Sequence, residues 1–232
     1  LSSYLNPNIE SMPAYVPGEQ PRDKAYIKLN TNENPYPPAP SVVAAMNAAE
    51  VEDLRLYSDP TAKVLKEKLA ELYGLKSENI YVGNGSDEVL YFLFRAYGQS
   101  GAAFPDISYG FYKVFAQLFQ VAPKVIPLRE DFSLPVEKFC GVGSMVVFAN
   151  PNAPTAIALP LSEVEKIVAS NPDHVVLVDE AYVDFGGQSA VSLIDRYPNL
   201  LVVRTFSKSR SLAGARIGYA MAQPALIDDL ER

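Results

Sequence analysis

The chain has 232 residues, 48% hydrophobic and 20% charged, a globular composition with length for one large core or one and a half ordinary domains. Its formal net charge is −7 and no Lys/Arg stripe runs through it, which argues against a nucleic-acid partner. No apolar stretch approaches the roughly 20 residues of a membrane helix, and no signal-peptide pattern opens the sequence, so no membrane partner is expected. A single cysteine, Cys140, excludes an internal disulfide and fits a reducing cytoplasm, and with the only histidine, His174, it cannot build a conventional metal site.

Residues 1–40 hold eight of the nineteen prolines and little periodicity, so they read as an extended arm with turns. A short Ala-rich helix is expected over 41–50, capped by Ser41, and a second over 62–73, with Gly74 as its stop. Ile80 then opens a strand that runs into Gly83-Asn-Gly-Ser-Asp87 and the apolar helix 89–97. Free backbone N–H groups at that helix start can bind a phosphate, or Ser86 and Asp87 are ordinary cap residues. Ala102-Ala-Phe104 is the next strand, and Tyr109 opens a helix running to Gln120. An aromatic at such a turn either stacks on a flat ring or staples the helix.

A strand is expected over 121–128 and another at Met145-Val-Val-Phe148, which ends in Asn150-Pro-Asn-Ala-Pro-Thr155. Ser162 caps a helix over 163–170. His174-Val-Val-Leu-Val178 is a further strand, and it delivers Asp179-Glu-Ala-Tyr182 to the carboxyl end of the sheet, where doubly wound folds place functional groups. Leaving Asp179 buried and unpaired would cost several kcal/mol, so it needs a partner: a pyridinium nitrogen, an arginine or a loop amide.

Leu200-Leu-Val-Val203 leads directly into Arg204-Thr-Phe-Ser-Lys-Ser-Arg-Ser-Leu-Ala-Gly-Ala-Arg216. Lys208 becomes a nucleophile if burial and a nearby cation lower its pKa. Ser207 and Arg216 supply a hydroxyl and a fork of donors suited to phosphate. An amine able to form a Schiff base beside a phosphate-binding pair points to pyridoxal 5′-phosphate (PLP), although Ser-Lys-Ser-Arg alone would pass for a solvated basic loop. The segment 216–222 returns after too short a loop for a parallel crossover, so it is expected to run antiparallel. A last helix begins at Ala225. Strands alternating with helices over 80–206 argue for an α/β fold, a mostly parallel sheet covered by helices on both faces.

Gly85-Ser-Asp87, Tyr109, Asn150-Pro-Asn-Ala-Pro-Thr155, Asp179-Glu-Ala-Tyr182 and Ser207-Lys208 with Arg216, in that order, resemble the fold-type I PLP-dependent aminotransferases. Leu29-Asn-Thr-Asn-Glu-Asn-Pro35, Leu56-Tyr-Ser-Asp59 and Arg204-Thr-Phe-Ser-Lys208 resemble in particular the histidinol-phosphate aminotransferases. The resemblance spans essentially the whole chain. It implies that Lys208 holds PLP as an internal aldimine and shuttles a proton, that Asp179 pairs with the ring nitrogen and that Tyr182 donates to O3′. It also implies that Tyr109 stacks on the ring and that Gly85, Ser86, Asp87, Ser207 and Arg216 hold the phosphate. Tyr57 would reach the neighbouring subunit's cofactor in a homodimer, and Tyr15 and Asn34 would line the substrate pocket.

Two departures accompany this resemblance. The family's Asn-Pro-Asn-Asn-Pro-Thr-Gly carries alanines here at 153 and 156, so either Asn152 moves in to bond O3′ or Tyr182 serves it alone; Asn152 is the expected contact. Family members also run past residue 232, and the expectation is an arm over 1–40, a PLP-binding domain over 41–225 and the start of an incomplete small domain over 226–232. The implied function is transamination between histidinol phosphate and 2-oxoglutarate, in histidine biosynthesis. Alternatives are an aromatic amino-acid aminotransferase or an amino-acid-phosphate decarboxylase of the same fold, or a non-catalytic scaffold subunit.

Overall fold

A computed structural model describes residues 27–46 and 55–232, together with Leu5, Ile9, Met12, Pro13 and Glu19. Tyr15 lies outside the described residues. The described part of the arm, 27–39, is irregular and largely exposed, with a turn at Thr31 and Asn32. Helix α1 spans Pro40–Ala45 and α2 spans Lys63–Tyr73, which stops at Gly74 in the left-handed region, φ 66°. Ser41 does not cap α1: Pro40 occupies the first turn, where its fixed φ suits a helix and its missing N–H leaves nothing unpaired.

The sheet has seven strands: β1 (Ile80–Gly83), β2 (Ala102–Pro105), β3 (Pro123–Ile126), β4 (Met145–Ala149), β5 (Val176–Asp179), β6 (Leu200–Thr205) and β7 (Gly218–Ala222). Their spatial order is β1-β7-β6-β5-β4-β2-β3. Strands β6, β5, β4, β2 and β3 are mutually parallel, whereas β7 runs antiparallel to both β6 and β1, as its short connection requires. The helices between them are α3 (Ser86–Tyr97), α4 (Phe111–Leu118), α5 (Leu161–Ala169) and α6 (Pro224–Glu231). Helix α4 starts two residues after Tyr109, and α5 follows Pro160 as its N-cap with Ser162 inside the first turn, so Ser162 is not the cap.

The period of two along buried strands sorts side chains onto two faces. Val146, Phe148, Val176, Val178, Leu200 and Val202 pack with Leu69 of α2 and Val164, Ile167 and Val168 of α5. Met145, Val147, Leu177, Leu201 and Val203 pack with α3, α4 and α6, including Phe94, Tyr112 and Ile227. Both faces are therefore covered. This explains why β4, β5 and β6 are apolar without alternation: every position is buried. Among the described residues no helix is long and apolar enough to cross a membrane.

Candidate active site

A cavity of about 460 Å³ opens at the carboxyl end of the parallel strands. Its lining includes Ser86 and Asp87 from the start of α3, Tyr109 before α4, Asp179 and Tyr182 at the end of β5, and Ser207, Lys208 and Arg216 between β6 and β7. Residues far apart in sequence meet here because each follows a strand of one sheet, at the crevice outside the strand ends. Thr31 and Glu33 of the arm close one side.

Asp179 is 5% exposed, yet among the described residues no cation bonds it. Tyr112 Oη donates to Oδ2 at 2.7 Å and the Ala181 N–H donates to Oδ1 at 3.1 Å. Burial pushes its pKa up to about 6, the two donors pull it down, and Asp87 adds a smaller upward push. Tyr112 is wholly buried in α4, and burial together with the facing carboxylate raises its pKa, so it remains a hydroxyl donor.

Lys208 is half-buried, and its Nζ donates to the Thr31 carbonyl at 2.9 Å. Burial lowers its pKa and Arg216 adds to that, while Asp87 and Glu33 oppose it. The amine lies 5.7 Å from the centroid of the Tyr182 ring, whose hydroxyl accepts from Asn32 Nδ2 at 2.9 Å. Tyr109 Oη donates to Asp87 Oδ1 at 2.7 Å. Its ring lies nearly parallel to that of Phe111, 5.6 Å away.

At the opposite end, backbones approach one another closely. Gly85 is left-handed, φ 85°, and a Cβ there would stand 2.6 Å from Arg216 Nη2. A Cβ on Gly218 would stand 2.2 Å from the Ser86 nitrogen. These two glycines let the guanidinium and the first amides of α3 share one cup. Gly85 itself shapes the cup from beneath and is not among the residues facing the cavity.

Three expected residues stand elsewhere. Asn152 does not turn into the cavity: its Nδ2 donates to the Ile107 carbonyl at 3.0 Å and to Thr155 Oγ1 at 3.1 Å, and its Oδ1 accepts from Ser108. It is committed to its own loop, and Ala153 lines the cavity instead. Asn34 bonds the Lys208 and Ser209 carbonyls at 3.2 and 3.5 Å, steadying the lysine's backbone without lining the cavity. Tyr57, expected at a partner subunit's cofactor, is fully exposed and is not part of this cavity's lining.

Sequence reasoning missed Tyr112 and a second buried group. Arg204 pairs with Glu180 at 2.9 Å and donates to Tyr73 Oη and Asp184 Oδ1 at 3.0 and 3.2 Å. Glu180 also accepts from Ser189 Oγ and the Ala190 N–H. Asp184 in turn accepts from Ser209 Oγ at 2.5 Å, tying this network to the residue after Lys208. The available signal was strand period: Glu180 and Arg204 fall on the opposite face from Asp179.

The model of the family described as "Aminotransferase class I and II" matches residues 24–232. A histidinol-phosphate aminotransferase of Marinomonas sp. strain MWYL1 is 55% identical over the whole of this chain and 67% of its own length. One of Clostridium acetobutylicum is 51% identical over the whole chain and 66% of its own. The chain thus spans about two thirds of the curated relatives it matches. The crystal structure of a histidinol-phosphate aminotransferase from Sinorhizobium meliloti in complex with pyridoxal-5′-phosphate superposes with a TM-score of 0.77 at 29% identity, covering 87% of this chain and 57% of that one. The family model and the relatives agree: the chain belongs to the aminotransferase class I and II family.

Proposed function

We propose that this protein is a PLP-dependent aminotransferase that moves an amino group from histidinol phosphate to 2-oxoglutarate, with Lys208 as the cofactor-bearing residue. The observation that supports it most is one cavity holding a buried carboxylate without a cation and a lysine with a lowered pKa. Asp179 accepts only neutral donors, so it has both lone-pair capacity and charge left for a cationic ring nitrogen. The cup formed by Ser86, Asp87, Ser207 and Arg216 over Gly85 and Gly218 suits a phosphate ester. The donor set fits the cofactor.

When bound, PLP supplies an electron sink for negative charge at the substrate's amino-bearing carbon. Asp179 would keep the ring nitrogen cationic by opposing it with a carboxylate. Tyr182 would offer the phenolic oxygen a donor, with no help from Asn152, and Tyr109 would supply an aromatic face to the ring. Lys208, whose amine donates to the Thr31 carbonyl and whose pKa burial lowers, would take the proton from the amino-bearing carbon. The division into an arm over 1–40, a cofactor-binding body over 41–225 and the start of a smaller domain over 226–232 belongs to this reading, as does a cytoplasmic homodimer in which Tyr57 serves the partner's site.

Adding PLP to the purified protein is expected to produce a visible absorption band that Lys208→Ala lacks. Histidinol phosphate with 2-oxoglutarate then yields glutamate, outcompeting aromatic amino acids and releasing no CO₂. A wild-type protein without the band overturns the cofactor assignment. A band without glutamate formation overturns the substrate and favours a binding subunit.

A further inference from the structure

We propose that Tyr112 is a positioning residue that holds the Asp179 carboxylate in its ionised, ring-facing state through the hydroxyl hydrogen bond to Oδ2. The inference rests on the PLP reading for its catalytic meaning, but its physical content is independent of it. The hydroxyl lies 2.7 Å from Oδ2, and Tyr112 has no exposed surface, so water cannot replace it as a donor. Its ring is fixed among Phe94, Phe104 and Tyr109, so the hydroxyl has one place to go.

The groups around the carboxylate leave that role to Tyr112. Asp87 on α3 opposes ionisation. The Tyr109 hydroxyl donates to Asp87, and the hydrogen bonds to Asp179 among the described residues come from Tyr112 and Ala181, not from Tyr182. Lys208 donates to Thr31 and Arg216 to the Ala213 carbonyl, and Glu33 of the arm carries the same sign as Asp179. Among the described residues only the backbone N–H of Ala181 shares the task. A buried carboxylate with two neutral donors depends strongly on each of them, because hydrogen bonds to the charged form are what oppose desolvation.

Tyr112→Phe removes the donor and keeps the ring. The first measurement needs no cofactor: the carboxyl titration of Asp179, isolated by difference infrared spectroscopy against Asp179→Asn. Its midpoint is expected to rise by about one pH unit in Tyr112→Phe, a tenfold change in the protonation equilibrium. An unmoved midpoint in a folded variant, verified by its near-UV circular dichroism, overturns the proposal. If the variant does not fold, Tyr112→3-fluorotyrosine, a near-isosteric and more acidic donor, lowers the midpoint, and no change with it overturns the proposal equally. The second measurement is PLP affinity against pH. The acid limb moves up by the same amount in Tyr112→Phe, and Tyr112→Phe adds less than a twofold loss of affinity in an Asp179→Asn background. Independent, multiplying losses in that cycle overturn action through Asp179. Wild-type protein that fails to bind PLP removes the functional reading while the infrared titration still decides this one.

Discussion

Asp179 and Glu180 are adjacent carboxylates at the end of one strand, both almost fully buried, and they do opposite things. Glu180 points to the face packed by α2 and α5 and meets a full arginine, a serine hydroxyl and an amide. Asp179 points to the face packed by α3 and α4 and meets only a tyrosine and an amide, with a cavity in front of it. Burial is equal, and the missing cation is the difference. A buried charge already matched by a fixed counter-charge has a structural role, whereas one held by neutral donors at a cavity wall is arranged to receive charge from a ligand.

The comparison breaks hardest at Arg204. Arg204→Met leaves Glu180 buried without its partner, and unfolding in urea is expected to show a loss of about 3–5 kcal/mol. Replacing both, as Arg204→Met with Glu180→Leu, should recover most of that loss, because the paired apolar substitution removes the orphaned charge. Asp179→Asn has the reverse character. On the proposed role of Asp179 opposite the cofactor ring, it is expected to lower transamination by about 10²–10³-fold. In the ligand-free protein it stabilises: the folded pKa of about 6 lies above the ordinary 3.8, so native protein holds the extra proton between those values. Stability contributed by that proton is present below about pH 4 and lost as pH rises through 6, a difference of about 3 kcal/mol. Asp179→Asn flattens that slope and is the more stable protein at pH 8, as thermal melts across the range would show. Asp184 sharpens the contrast from the rim of the arginine network. Its side chain is 36% exposed, so Asp184→Asn costs about 0.2–1 kcal/mol by the same urea assay.

Much of this arrangement was legible before any coordinates. The buried strands ending in Asp179 and Arg204 are apolar runs, and the antiparallel return of β7 follows from loop length alone. Motif residues read from separate stretches, Ser86 and Asp87, Tyr109, Asp179 and Tyr182, Lys208 and Arg216, line one cavity because each follows a strand of a common sheet. What stayed hidden depends on direction in space. Tyr112 sits in an amphipathic helix where an aromatic reads as core, and nothing local reveals that its hydroxyl reaches β5. Asn152 looks available in sequence, but its loop satisfies itself with Ile107, Ser108 and Thr155. Ser41 and Ser162 resemble caps, yet a neighbouring proline shapes each helix start, so their hydroxyls are not needed there.

Strand β7 joins β6 on one side and β1 on the other, and among the described residues β1 pairs with no other strand. As the chain leaves the ribosome, Ile80–Gly83 therefore waits for its sheet neighbour until nearly everything else described here has been made. The amides around Ser86 cannot be fixed against Gly218 before then. The end of the pocket between Ser86 and Arg216 is a late product of folding, and nascent chains stalled ahead of residue 218 should hold the central sheet while lacking a completed cup.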